Sequence, residues 1–468
     1  MTAVVHGPAR HAAPPGPSAP STAPAVVDRR VRTAAEAALC AALVLVTFWW
    51  ATGGGLSDLG GWATGLTSLG RLTGLLASVL LLVQVLLMAR IPVLERAFGQ
   101  DRLAVIHRLV GFTSFTGMLA HIGLITWGYA AGDLAATPGE LWGLTVSYPG
   151  MLLAAAGTAC LVLVVVTSVK AARAALRYES WHLLHLYAYL GVGLALPHQL
   201  WTGQEFLAST ARTVFWWTLW AVTAAAVLVH RVALPLRRTL RHRLVVTSVV
   251  DEGDGCSSVY LAGRHLDDLP VRAGQFLTWR FLSGTGWSRA HPYSLSAAPD
   301  GRSLRITVKN LGDGSGRVAG LRPGTRALVE GPYGRLTDRV RTAPKVALVG
   351  AGIGITPMRA LAEELTGDVV VLHRFTGSAV FAREFAVLAA ERGFGLVPLP
   401  GPRRAHDSWL GSGVGAVDDL AALRARVPDV AERETYVCGP ESWTRLVVGT
   451  LRAAGVPADR IHTETFGW

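Results

Sequence analysis

Four histidines carry the chemistry this sequence offers. His107 and His121 stand 14 residues apart in one apolar, helix-length run, and His185 and His198 stand 13 apart in another. At ~1.5 Å of rise per residue each gap spans roughly 20 Å, about two thirds of a ~30 Å hydrocarbon layer. Neutral imidazole ligates iron well, and haem iron is commonly held axially by His. Four imidazoles on two neighbouring helices therefore offer ligands for two haems, one near each membrane face. A lone His in an apolar run is often a hydrogen-bonded packing residue; matched spacing in two runs is a different signal, because polar groups in lipid are costly. On an ideal helix a 14-step leaves two side chains ~40° apart, but a 13-step leaves ~140°. Pro197, directly before His198, is placed to distort that helix. His182 competes with His185 for the inner position.

Six membrane spans are expected to position these ligands: Thr33–Thr52, Leu69–Ile91, Ala104–Ala130, Tyr148–Lys170, Trp181–Leu200 and Ala211–Leu234. One set of connecting segments is basic (Arg29, Arg30, Arg32; Arg90, Arg96, Arg102; Lys170, Arg173, Arg177; Arg231, Arg237, Arg238). The other carries Asp58, Asp133, Glu140 and Glu205. Positive loops stay inside, so both termini are expected in the cytoplasm, in a cell (plasma) membrane. His107 then faces His185 at the inner side and His121 faces His198 at the outer side. Arg71, at the outer end of the second span, either snorkels to the interface or serves the outer site by holding a haem propionate or the acceptor. His230 and Arg231 read as interfacial anchors.

Residues 1–28 are rich in Pro, Ala and Ser and read as a disordered tail. The arginines before Ala37–Ala51 also fit a signal peptide, even a twin-arginine one; an uncleaved first span is the reading taken, since more spans follow. The net charge of +12 is concentrated around apolar runs, so it reports membrane topology rather than nucleic acid. Four scattered cysteines without a CxxC pair argue against a disulfide framework, a zinc site and an iron–sulfur cluster.

From Arg241 the pattern is that of a soluble protein. Leu244–Val250, Ser258–Ala262, Phe276–Phe281 and Leu304–Asn310 are short β-branched runs between turns and predict an antiparallel β-barrel over 240–340. After Pro344 the order becomes strand, Gly-rich loop, helix: strands Lys345–Val349, Val369–Leu372 and Thr435–Cys438, helices Pro357–Leu365, Ala382–Arg392 and Ser442–Ala454. This predicts an α/β parallel-sheet domain over 343–468. The fold expected is thus a membrane all-α six-helix bundle over 29–236, an antiparallel barrel and an α/β nucleotide-binding domain.

Three segments here have a chemical reading. In His291-Pro292-Tyr293-Ser294 an aromatic followed by a hydroxyl can cover a flavin face and bond its edge; an ordinary strand is the alternative. Lys309, Gly312, Gly314 and Ser315 form a turn whose backbone N–H groups suit a phosphate, or a plain Gly-rich turn. Gly350, Gly352, Gly354, Thr356 and Pro357 follow a buried strand and open a helix, the context a dinucleotide needs. Cys438-Gly439-Pro440 ends a later strand, where the thiol either lies beside a nicotinamide or is simply buried.

Taken together, these residues resemble the transmembrane NADPH oxidase and ferric reductase family, with a soluble half similar to the ferredoxin–NADP reductase superfamily. The resemblance covers residues 33–468. It rests on the histidine spacings, on His291–Ser294, on Gly350–Pro357, on Cys438–Pro440 and on the terminal Phe466-Gly467-Trp468. The family implies NAD(P)H passing a hydride to FAD, then single electrons reaching an inner b-type haem (His107, His185), an outer one (His121, His198) and an acceptor outside. It also implies that Trp468 covers the flavin until nicotinamide displaces it. Oxygen, giving superoxide, and ferric chelates both remain open as acceptors. NADPH is expected over NADH, because the second strand ends in His373-Arg374 rather than an acidic residue. Arg403 and Arg404 could hold a 2′-phosphate, or be surface arginines. A haem and flavin subunit feeding a partner protein or the quinone pool is the second reading. A transporter with a regulatory nucleotide domain leaves the matched histidines unexplained. No DxDxDG-type loop precedes the first span, so calcium activation is not indicated.

Overall fold

A computed structural model describes residues 21–169, 172–173, 178–284, 286–287, 289–312, 314–415 and 417–465. The chain divides into two compact units, one at Asp28–Ala233 and the other built on Leu234–Trp468.

The first unit is helical. Its long helices are Ala23–Trp50, Trp62–Met88, Gln100–Tyr129, Met151–Ser168, Tyr178–Trp201 and Thr210–Val227. Among the described residues, five helical stretches are long and apolar enough to cross a membrane: Ala23–Gly55, Trp62–Met88, Gln100–Tyr129, Met151–Ser168 and Thr210–His242. Tyr178–Trp201 is the exception. At 24 residues it is long enough to reach ~36 Å, but three histidines, Gln199 and its tyrosines make it less apolar.

Boundaries shift from expectation at several places, the second span starting at Trp62 and the last helical stretch running on to His242. The first helix begins at Ala23, inside the segment expected as a disordered tail; residues 1–20 of that tail lie outside the described residues. The segment between the third and fourth spans, expected as a loop, contains the helix Thr137–Ser147, with Pro138 in its first turn where its missing N–H costs nothing.

The helices associate in pairs. Trp62–Met88 lies along Gln100–Tyr129, and Met151–Ser168 along Tyr178–Trp201. Small residues allow the close approach: a Cβ added at Gly157 would lie 2.7 Å from the Gly191 carbonyl oxygen. Trp50 donates its indole N–H to Ser68 O at 3.0 Å, which satisfies a polar group that lipid could not. Each histidine helix is thus held by a neighbour.

The second unit has two sheet systems. Strands β1 (Val245–Gly253), β2 (Cys256–Ala262) and β5 (Ser303–Lys309) form one antiparallel sheet, ordered β1-β2-β5. Strands β3 (Phe276–Phe281), β4 (His291–Ser294) and β6 (Ala327–Tyr333) form the other, ordered β4-β3-β6. Where a barrel was expected, these two sheets are joined by the single bridges Val245↔Arg326 and Leu295↔Ile306. They enclose Val259, Leu261, Leu277, Trp279, Leu295 and Ile306.

Beyond them, β7 (Val346–Ala351), β8 (Val369–Phe375), β9 (Gly395–Pro400), β10 (Glu434–Gly439) and β11 (Ile461–Thr465) make a five-stranded parallel sheet ordered β11-β10-β7-β8-β9. Helices and apolar side chains cover both faces, as a parallel sheet requires. The strand order reverses between β7 and β10, which puts a ligand crevice at their carboxyl ends.

Candidate functional site

The helical unit brings its four histidines together in two facing pairs. The rings of His107 and His185 are 6.2 Å apart, centre to centre, with their planes at 60°. Those of His121 and His198 are also 6.2 Å apart, at 16°. The pairing follows the register expected from the spacing, with the ring of His185 meeting that of His107. The helix runs continuously through Pro197, and the ~140° offset of a 13-step does not prevent either pair from facing.

Each ring is held through Nδ1. His107 Nδ1 bonds Gln84 O at 3.0 Å, and His121 Nδ1 bonds Gly70 O at 2.8 Å. A carbonyl can only accept, so in both rings Nδ1 carries the proton and the Nε2 lone pair is left for a metal. His185 Nδ1 meets Ser168 Oγ, and His198 Nδ1 meets Thr202 Oγ1, both at 3.3 Å. Thr202 donates its own proton to His198 O at 2.7 Å, so its oxygen accepts from the ring. A His nitrogen binds a metal at about 2 Å and the ring centre lies roughly 1 Å behind it, so two imidazoles across one iron have centres roughly 6 Å apart. Both pairs fit a bis-histidine haem.

Arg71 is paired with Asp58, an ion pair that was not expected from the sequence. Its Nε is buried without a partner among the described residues.

In the second unit, β4 carries the flavin motif. Tyr293 is hydrogen-bonded through its carbonyl to Trp279 Nε1 at 3.2 Å. Its hydroxyl and Ser294 Oγ are buried with no partner among the described residues. Two orphaned polar atoms in one tetrapeptide are what a bound flavin would satisfy. Burial pushes the Tyr293 phenol up to about 12, so it stays a donor. The His291 ring stacks on Tyr293 at 6.0 Å. The Gly314 turn lies directly on His291, where a Cβ would come within 2.5 Å of the ring. This seats the Gly312–Ser315 turn beside the motif. Lys309 is salt-bridged to Asp254 at 2.7 Å, and Ser315 Oγ accepts from Leu311 N at 2.8 Å. Pro292 occupies an edge strand, where its missing N–H is tolerated.

The nucleotide motifs meet at the switch point. Cys438 on β10 is in register with Gly350 on β7. A Cβ at Gly354 would lie 2.3 Å from the Cys438 carbonyl oxygen, so the two loops touch only because that residue is glycine. Gly352 has φ +53°, and added atoms there would meet open space. The helix opens at Ile355, two residues before Pro357, and Thr356 Oγ1 bonds Ile353 O at 2.9 Å. Gly439 and Pro440 lead into the helix Glu441–Ala453. Burial, with the Glu464 carboxylate nearby, pushes the Cys438 thiol well up, which keeps it protonated. Trp468 lies outside the described residues.

Arg374, at the end of β8, has its Nε buried without a partner among the described residues, and burial, followed by the charge of Arg403, disfavours its own charge. Arg403 bonds Ser408 O through Nε at 2.8 Å. Arg404 is committed to its own loop, bonding Gly415 O at 3.0 Å and Asp419 at 3.3 Å. Of Arg403 and Arg404, Arg403 is the one whose charge acts on Arg374.

Several residues that organise these sites were not singled out from the sequence: Gln84, Gly70, Ser168 and Thr202 behind the imidazoles, and Arg305, whose guanidinium bonds Ser296 O at 2.6 Å behind the flavin motif. Gln84 had a legible signal, a polar side chain inside an apolar run; the others are ordinary residues in ordinary places.

Comparison with known proteins agrees with both halves. Residues 73–196 match the family described as "Ferric reductase like transmembrane component". The C-terminal half is 35% identical to the ferredoxin reductase component of a 3-ketosteroid-9-alpha-monooxygenase from Mycolicibacterium smegmatis, over 48% of this chain and 65% of that protein. It is 31% identical to an NADPH oxidoreductase of Mycobacterium tuberculosis over 49% of this chain and 60% of that protein. It is also 32% identical to a flavohemoprotein of Chromobacterium violaceum, over 46% and 58%. The chain spans less than two thirds of the length of each of these relatives. Among solved structures, the FAD/NAD binding domain of a Vibrio cholerae nitric oxide dioxygenase is similar over 49% of this chain and 100% of that one, with 25% identity and a TM-score of 0.37. The chain thus pairs a segment similar to a ferric reductase like transmembrane component, over residues 73–196, with a C-terminal half similar to the reductase modules of these flavohemoprotein and ferredoxin-reductase relatives.

Proposed function

We propose that this protein is a six-span NAD(P)H-dependent oxidoreductase of the plasma membrane, with both termini cytoplasmic. It would carry electrons from NADPH to an extracytoplasmic acceptor, oxygen or a ferric chelate. The observation that carries this reading is the pair of facing imidazole sets, each 6.2 Å apart and each with Nδ1 engaged. A transporter or a purely regulatory membrane protein has no use for that arrangement. When bound, FAD would supply the conversion of a two-electron hydride into single electrons, and two b-type haems would supply one-electron conduction.

The chain's own residues bind, orient and insulate. His107 with His185, and His121 with His198, would hold one iron each. Tyr293 and Ser294 would donate hydrogen bonds to the flavin, while the Gly312–Ser315 turn and Lys309 face its phosphates. The Gly350–Pro357 loop and Cys438–Pro440 would seat the nicotinamide nucleotide at the switch point, and Arg374 with Arg403 would receive a 2′-phosphate. Their mutual repulsion is relieved by such an anion, which favours NADPH; a relative is itself named an NADPH oxidoreductase. Cys438 would serve this seat through its backbone, since its protonated thiol is packed in the core beneath the crevice. Trp468 is assigned to cover the flavin on the family resemblance alone, and Arg71 to the outer face.

The test is electron export by the full chain in sealed vesicles. NADPH added on the cytoplasmic side should drive reduction of oxygen or a membrane-impermeant ferric chelate on the other side. Reduction confined to the NADPH side would refute it.

A further inference from the structure

Directly after His198 stands Gln199, a neutral amide with 7% of its surface exposed among apolar helices. A buried amide is costly unless both of its ends are satisfied, and here both are. Gln199 Nε2 donates to Ser78 Oγ at 3.3 Å on helix Trp62–Met88. Gln199 Oε1 accepts from Trp220 Nε1 at 3.2 Å on helix Thr210–Val227. One side chain therefore ties the turn that bears His198 to two other helices.

That turn needs an outside anchor. Pro197 has no N–H, so the helix loses the bond it would have made to the carbonyl four residues earlier. The hydrogen bonds of the His198 ring and carbonyl are local, made within one turn to Thr202. His121 is placed differently, by the Gly70 carbonyl on helix Trp62–Met88. The same helix thus positions both members of the outer pair: His121 through Gly70, and the His198 turn through Ser78 and Gln199. We infer that Gln199 is a positioning residue for the outer pair, holding His198 opposite His121 in the near-parallel arrangement seen at 16°. The inner pair, at 60°, is tied elsewhere, its His185 turn bonding Ser168 through His185 Nδ1 and Trp181 Nε1, and should not depend on Gln199.

This inference rests on the two-haem reading, and the experiment separates the two. Full-length wild type, Gln199→Met, Ser78→Ala and Trp220→Phe are purified and their ferric haems compared by electron paramagnetic resonance and by redox titration. Gln199→Met keeps the volume and removes both hydrogen bonds. It should move the signal and potential of one haem, the one lost in His198→Leu, and leave the other at wild-type values. Loss of that haem to apomyoglobin should be roughly tenfold faster, the scale of outer-shell effects on metal sites. Ser78→Ala and Trp220→Phe should each give a smaller change of the same sign, and they decide the same question if Gln199→Met does not fold. A lower melting temperature with both haem signatures unchanged would mean that Gln199 only stitches helices, and would overturn the inference. A wild-type chain without haem would overturn the two-haem reading itself, before any variant is compared.

Discussion

Arg305 on β5 and Glu384 in the first turn of helix Ala382–Arg392 are joined by two hydrogen bonds, of 2.8 and 3.0 Å. The antiparallel sheets and the parallel domain are thereby tied together behind the flavin motif, since Arg305 also bonds Ser296 O.

Arg305 is 6% exposed and Glu384 31%. Removing one partner of a fully buried pair costs about 3–5 kcal/mol; the partial exposure of Glu384 reduces this, so Arg305→Ala should destabilise the soluble half by about 2 kcal/mol. The pair also sets a pH dependence. Burial alone would raise the Glu384 carboxyl, but Arg305 and Arg359 outweigh it and hold it below the ordinary glutamate value. A depressed folded-state pKa contributes stability that is present above about pH 4.3 and lost as pH falls through the folded value. Thermal melts between pH 7 and pH 3.5 should fall more steeply for wild type than for Glu384→Gln; parallel slopes would count against the pair.

Much of the architecture was legible, for identifiable reasons. The buried strand before Gly350 and the histidine runs carry strong periodic or compositional signals. The strands β4, β6, β9 and β11 were not delimited; in β4 and β9, Pro292, Pro398 and Pro400 argue against a strand interior. Both are edge strands, where proline is allowed, and edge position cannot be read from one sequence. Spacing and loop charge led to the expectation that His107 faces His185 and His121 faces His198, and these are the rings found 6.2 Å apart. The atoms that orient the rings were not, since a backbone carbonyl such as that of Gly70 has no sequence signature.

The turn after helix Thr137–Ser147 offers a second check on the histidine sites. Gly150 has φ +82°, and a Cβ there would lie 2.8 Å from the backbone nitrogen of His198. Gly150→Ala should cost roughly 1–2 kcal/mol of backbone strain and displace the His198 turn. The optical or magnetic signature of one haem should change while the other is kept. Two unchanged haem signals would show that the turn can yield without moving His198.

Nucleotide selectivity tests the arginine pair. Replacing Arg374 or Arg403 with Gln removes a charged hydrogen bond worth about 1.5–3 kcal/mol, so KM for NADPH should rise roughly 10- to 100-fold. KM for NADH should stay within about twofold, a shift of less than ~0.5 kcal/mol. Equal changes for both nucleotides would remove these residues from the 2′-phosphate site.

Cys438 should be chemically inert in the folded chain. Its thiol is fully buried and held protonated by burial and Glu464, and only the thiolate is nucleophilic. Mass spectrometry after iodoacetamide at pH 8 should find Cys438 unmodified in native protein and modified in urea. Rapid native alkylation would mean that the thiol itself, and not only the crevice above it, is open to solvent.

The most direct measurement is the absorption spectrum of the purified full-length chain, taken without oxygen before and after NADPH. Two haems per chain, both reduced by NADPH with the narrow bands of bis-histidine ligation, are expected, falling to one haem in His198→Leu with flavin reduction retained. A chain without Soret absorbance after expression with ample porphyrin, or a His198→Leu variant that keeps both haems, would contradict the assignment of these four histidines.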